Sequence, residues 1–109
     1  MSKGQIANGI AISPLPPDKG KPANIEYSGS LSASGTELTL CVAYGTAPGS
    51  LFSRQEYPMQ QQGNNWVTSV NVSASDQLNL SFKDSKGNVD DNQGNYYTVP
   101  VNSDNMSYA

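Results

Sequence analysis

Apolar and polar residues alternate along most of this chain in short runs, and no stretch sustains a helical period. Glu37 to Tyr44 is the clearest case: Leu38, Leu40, Val42 and Tyr44 share one side of an extended strand, and Thr39, Cys41 and Ala43 share the other. Both sides are rather apolar, which predicts a central strand. Leu78, Leu80 and Phe82 alternate with Asn79, Ser81 and Lys83, the pattern of a half-buried strand. Asn64-Asn65 opens another, with Trp66, Thr68, Val70 and Val72 on one side and Trp66 as its core anchor.

The remaining runs are punctuated by turn residues. Gln5 to Ser13 predicts a first strand, stopped by Pro14-Leu15-Pro16-Pro17-Asp18-Lys19-Gly20, where prolines lack the donor a ladder needs. Pro22 to Leu31 resumes with Ile25, Tyr27 and Leu31 on one parity, and Ser28 to Gly35 is a Ser/Gly turn region. Gly45 to Ser50 and Ser73 to Asp76 are turns. Gln55 to Gln61, interrupted by Pro58, predicts an edge strand or an irregular crossing. Asn95 to Val101 closes with Tyr97, Val99 and Val101 opposed to Tyr96 and Thr98, and Pro100 suggests an edge; residues 102–109 carry no periodicity. About seven short strands in one domain of 109 residues, with a core spanning residues 5–101, predict an all-β fold, an immunoglobulin-like antiparallel β-sandwich.

Composition narrows the function. Charged residues make up 14% of the chain and hydrophobic ones 36%, which suits a folded domain rather than a coiled coil or a disordered segment. Six basic residues against nine acidic ones, with no basic stripe, argue against nucleic-acid binding. No apolar segment approaches the roughly 20 residues that span a bilayer, so no membrane insertion is expected. Nor does an apolar stretch of signal-peptide length follow Lys3. The expectation is cytoplasmic synthesis with release or assembly into a particle, or an extracellular location if a signal has been removed. The chain has no histidine, its Asp90-Asp91 pair diverges on an extended backbone, and Cys41 between Leu40 and Val42 has no basic neighbour in sequence. These features predict a protein that is not an enzyme. With a single cysteine there is no internal disulfide. Asn71-Val72-Ser73 and Asn105-Met106-Ser107 match the glycosylation acceptor pattern, as chance allows in a chain rich in Asn and Ser.

The densest signal is Phe82 to Tyr97, FKDSKGNVDDNQGNYY, a strand end, an Asn/Asp/Gly loop and a tyrosine-led strand. Together with Ile25-Glu26-Tyr27-Ser28-Gly29-Ser30-Leu31, Ser34-Gly35, Glu37 to Gly45, Met59 and Leu78 to Asp84, it resembles, in order and over roughly Ile10 to Val101, the starch-binding carbohydrate-binding modules related to family 25. The resemblance implies a sandwich that holds an α-glucan by stacking aromatic rings on sugars, with polar groups orienting the hydroxyls. It also implies that the module's histidine falls at Cys41, one tryptophan near Leu51 or Phe52, and the signature tryptophan at Val89. The sugar site it leaves is Tyr44, Phe52, Asp90, Asn92 and Asn95. Tyr44 reads equally as core, and Asp90, Asn92 and Asn95 equally as turn formers.

Oxygen donors at Asp84, Asn88, Asp90 and Asn92 also suit calcium, the one cofactor the sequence suggests. The spacing is not that of an EF-hand, because Gln93 and Val99 stand where glycine and glutamate belong. Two roles remain open: a non-catalytic glycan-binding or adhesion module, and a structural subunit decorating a capsid or surface layer. The expected partner is accordingly a glycan or a protein assembly.

Overall fold

The computed structural model describes residues 4–7, 9–33, 37–46, 50–73 and 77–102. Within them lie ten strands: β1 (Gly4–Ala7), β2 (Ile10–Ser13), β3 (Pro22–Tyr27), β4 (Leu38–Thr46), β5 (Ser50–Pro58), β6 (Gln60–Gln62), β7 (Asn65–Asn71), β8 (Gln77–Asp84), β9 (Val89–Asp90) and β10 (Tyr97–Pro100). A 3-10 turn, Ser30–Ala33, follows β3.

The strands form two antiparallel sheets of five, β1-β2-β3-β7-β6 and β10-β8-β4-β5, with β9 also on β8. The orders β2-β3-β7-β6 and β10-β8-β4-β5 are the A-B-E-D and G-F-C-C′ orders of an immunoglobulin-like sandwich. The strand β4 is central, flanked by β8 and β5, as its two apolar sides predict. Between the sheets, Ile12, Ile25, Tyr27 and Val70 face Leu40, Tyr44, Leu80 and Phe82, each fully buried, and Trp66 closes one end of the core.

Ten strands replace the expected seven because two predicted runs are each divided and a short strand, β9, forms inside the Asn/Asp loop. Gln5 to Ser13 is a hairpin rather than one strand, with Ala7 opposite Ile10. Its turn depends on Gly9, which has φ +85°, and a Cβ there would lie 3.2 Å from the Gly29 backbone. Gln55 to Gln61 crosses between the sheets at Met59, so that β5 edges one sheet and β6 the other. The closing run, expected from Asn95, pairs only over β10, and residues 91–96 separate it from β9. Asn102, expected to begin an aperiodic tail, is pinned to the proline loop: its N–H donates to Pro17 O (2.7 Å), its carbonyl accepts from Lys19 N (3.0 Å), and its amide donates to Asp18 Oδ1 (2.8 Å).

Candidate functional site

Two aspartates frame the loop region that follows β8. Asp84, 6% exposed, closes the β8–β9 turn on itself. Its Oδ1 accepts from the N–H groups of Lys86 (3.0 Å) and Asn88 (2.9 Å), and its Oδ2 accepts from Asn88 Nδ2 (3.0 Å). This is local turn chemistry of the kind Asp and Asn favour.

Asp90 works across the molecule. Its Oδ2 accepts from the hydroxyl of Tyr27 at 2.5 Å and its Oδ1 from that of Tyr97 at 2.6 Å. The Tyr27 ring stacks on Phe82, with centroids 4.1 Å apart and planes at 21°, and Phe82 in turn meets Tyr97 at 6.2 Å. The Tyr27 hydroxyl oxygen also accepts from Leu31 N (3.1 Å), and a Cβ at position 29 would meet the Tyr27 ring at 2.7 Å. The run Tyr27-Ser28-Gly29-Ser30-Leu31 thus makes room for a phenol whose acceptor is 63 residues away. Burial and the bond to Asp90 push the Tyr97 hydroxyl well above the ordinary tyrosine value.

Asp90 pairs with Phe82 and Tyr97 with Leu80, so residues 91–96 all stand opposite the single residue Ser81. This excursion is tightly coiled: Asn92, Gln93, Gly94 and Tyr96 have φ of 58°, 58°, 88° and 63°. Tyr96 N donates to Asp91 O (2.8 Å), Gly94 N to Asp91 Oδ1 (3.0 Å), and Asn92 Nδ2 to Tyr96 O (3.0 Å). A left-handed backbone is costly for an aromatic residue. Here it brings Tyr96 to the outer face of the β10-β8-β4-β5 sheet.

On that face Tyr96 helps to wall a depression of about 310 Å³. Cys41, Ala43, Asn79 and Ser81 form its floor, and Arg54 and Glu56 approach from β5. A bulge in the β4–β5 ladder, with Ser53 at φ +55°, turns β5 just where Arg54 reaches in. Asn79 is 1% exposed and fully engaged: its Nδ2 donates to Ala43 O (3.2 Å) and Gly45 O (2.9 Å), and its Oδ1 accepts from Thr98 Oγ1 (2.9 Å). Lys83 Nζ bridges to Glu56 Oε2 at 2.8 Å, and that hydrogen bond raises the lysine's pKa. Burial pushes the Cys41 thiol above its ordinary range, outweighing the Lys83 charge that pulls it down. Cys41 is therefore a quiet wall residue. Val89, opposite Lys83 and hence on this same outer face, is 57% exposed.

The residues expected from the sequence to hold sugar divide sharply. Tyr44 is 0% exposed, with its hydroxyl accepting from Ser73 N (3.1 Å) and lying 3.4 Å from Asn71 O, so its ring offers no face to a ligand. Phe52 pairs with Tyr44 through the backbone, and its side chain lies outside the described residues. Asp90 is committed to two tyrosines, whereas Asn92 and Asn95 are exposed on the coiled excursion. For the calcium alternative, the oxygens of Asp84 already accept from the turn, and among the described residues no three Asp, Glu, Cys or His side chains gather. The residues that alternation did not single out are Tyr96, Arg54, Glu56 and Asn79. Alternation sets Tyr96 on the side opposed to Tyr97, and Asn79 on the side opposed to Leu78 and Leu80, but gives neither a role.

Comparisons with family models, with curated proteins and with solved structures gave no match.

Proposed function

We propose that the protein is a non-catalytic glycan-binding module that presents the outer face of β8-β4-β5 to an α-glucan or a related chain. The observation that carries this reading is convergence. Cys41 and Val89, the positions where the resemblance puts a histidine and a tryptophan, lie on one face, and the excursion after Asp90 brings Tyr96 to the same depression. A phenol ring beside Ser81, Arg54 and Glu56 supplies a stacking surface together with donors and acceptors for hydroxyls. The resemblance alone supplies the α-glucan specificity.

The test is a titration of isotopically labelled protein with maltoheptaose, followed through the amides of residues 41–56 and 79–97. Saturable shifts confined to those residues are expected. Tyr96→Asn removes the ring while keeping a residue that tolerates the left-handed backbone, and should weaken binding about tenfold, the equivalent of about 1.4 kcal/mol. Absence of shifts at millimolar sugar overturns the reading.

A structural role is the second reading, and Val89 favours it: it is the large apolar side chain left exposed among the described residues, and it stands on this same face. In that case Val89→Asp abolishes incorporation into the native assembly and leaves the monomer folded, as sedimentation and circular dichroism would show.

A further inference from the structure

The opposite side of the sandwich carries a second, differently built surface. Registers across the β1-β2-β3-β7-β6 sheet align Gln5, Ala11, Glu26, Val67 and Gln60 in one row that crosses all five strands. The four inter-strand steps make this row about 19 Å long. Two depressions of about 340 and 470 Å³ adjoin along it and share Glu26. Gln5, Ser28 and Asn65 line the first, and Asn24, Gln60 and Gln62 line the second.

The chemistry of this row is selective. Every glutamine and asparagine amide offers both donors and an acceptor, as do the serine hydroxyls, so each can pair with a hydroxyl in either sense. Ala11 and Val67 form small apolar floors on either side of Glu26. Neither depression is lined by Lys, Arg, Trp, Tyr or Phe among the described residues. Among the described residues, the two depressions thus offer neither the anchors that carry protein–protein affinity nor the cations a phosphate-bearing chain requires. A carboxylate has about four acceptor positions, enough for Glu26 to take adjacent hydroxyls beside the partner it has within the chain.

From this arrangement we infer that the outer face of β1-β2-β3-β7-β6 is a second binding site, for an uncharged, hydroxyl-rich linear chain lying across the strands with Glu26 at its midpoint. The ligand class is a neutral oligosaccharide, held by amides and one carboxylate rather than by an aromatic platform. The site shares no residue with the Tyr96 depression. A chain bound on each face makes the module bivalent, so that it links two strands of a polymer and gains avidity from their proximity.

The same labelled protein tests this, titrated separately with maltoheptaose, cellohexaose, xylohexaose and chitohexaose, and with a neutral Ser/Gln peptide as the competing class. Saturable shifts at the amides of residues 5, 11, 24–26, 60–62 and 67–69 with at least one oligosaccharide are expected. Glu26→Gln should weaken them about tenfold. Val67→Lys, which places a long cation in the trough, should abolish them, and both variants should keep the wild-type spectrum elsewhere. Shifts at these residues with the peptide alone, or with none of the sugars, overturn the inference. The amides of residues 41–56 and 79–97 report the other face independently, so either site can fail without the other.

Discussion

Asp84 and Asp90 sit six residues apart in one polar stretch and do opposite work. Asp84 accepts from Lys86 and Asn88, partners two and four residues away in the same hairpin. Asp90 accepts from Tyr27, 63 residues away in the other sheet, and from Tyr97. One carboxylate organises a loop, while the other fastens the two sheets together and fixes the root of the excursion that carries Tyr96. The comparison shows that an Asn/Asp-rich loop contains both turn formers and tertiary clasps, and that only the partner's position distinguishes them.

Substitutions can break that distinction, and the largest effect belongs to the clasp. Asp90→Ala strands two phenols, one of them fully buried, and should lower unfolding free energy by about 3 kcal/mol in urea. A loss no larger than that of an exposed turn residue would return Asp90 to the role of Asp84. Tyr27→Phe removes one of the two bonds to Asp90 together with the acceptor of Leu31 N, and should cost about 2 kcal/mol, with a double-mutant cycle to Asp90 showing coupling of about 1 kcal/mol or more. Asp84→Ala should cost about 1 kcal/mol, because the donors it leaves are at a solvent-facing turn where water replaces it. Hydrogen exchange should then rise at Lys86 and Asn88 and not at Leu31.

The smallest effect is alkaline. The Tyr97 phenol has its pKa raised in the folded state by burial and by Asp90, so the fold favours the protonated form. That contribution is complete below the ordinary tyrosine value of 10.0 and is lost progressively as pH rises above it. Tyr97→Phe should flatten the fall in stability between neutral pH and pH values above 10.0, measured as the difference from wild type. An unchanged slope would mean that Tyr97 does not depend on the clasp.

Alternation made most of the core legible. Leu38, Leu40 and Val42 on β4, and Leu78, Leu80 and Phe82 on β8, point inward as their parity requires, and Trp66 is buried as expected of an anchor. Parity also places Tyr44 inside, against the sugar-contacting role drawn from resemblance, because an unbroken strand cannot turn one of its inward residues out. What was not legible followed from backbone conformation. Asn8-Gly9 is a hairpin signal embedded in a run that otherwise reads as one strand. Tyr96 and Tyr97 follow residues whose left-handed backbone erases the period of two, so their sides cannot be counted from the strand before. The pairing of Tyr27 with Asp90 is invisible to any local pattern, although Gly29 marks the space the phenol needs.

The Tyr27–Asp90 bond also sets the order in which the molecule can be completed. β3 lies in the interior of the first sheet, yet the acceptor for its buried phenol is made 63 residues later. Contacts of such sequence separation are formed slowly, and a nascent sandwich without them exposes β8 along the edge that β9 and β10 later cover. The clasp is therefore a completion signal: until residue 90 arrives, the first sheet has its strands but not its fastening.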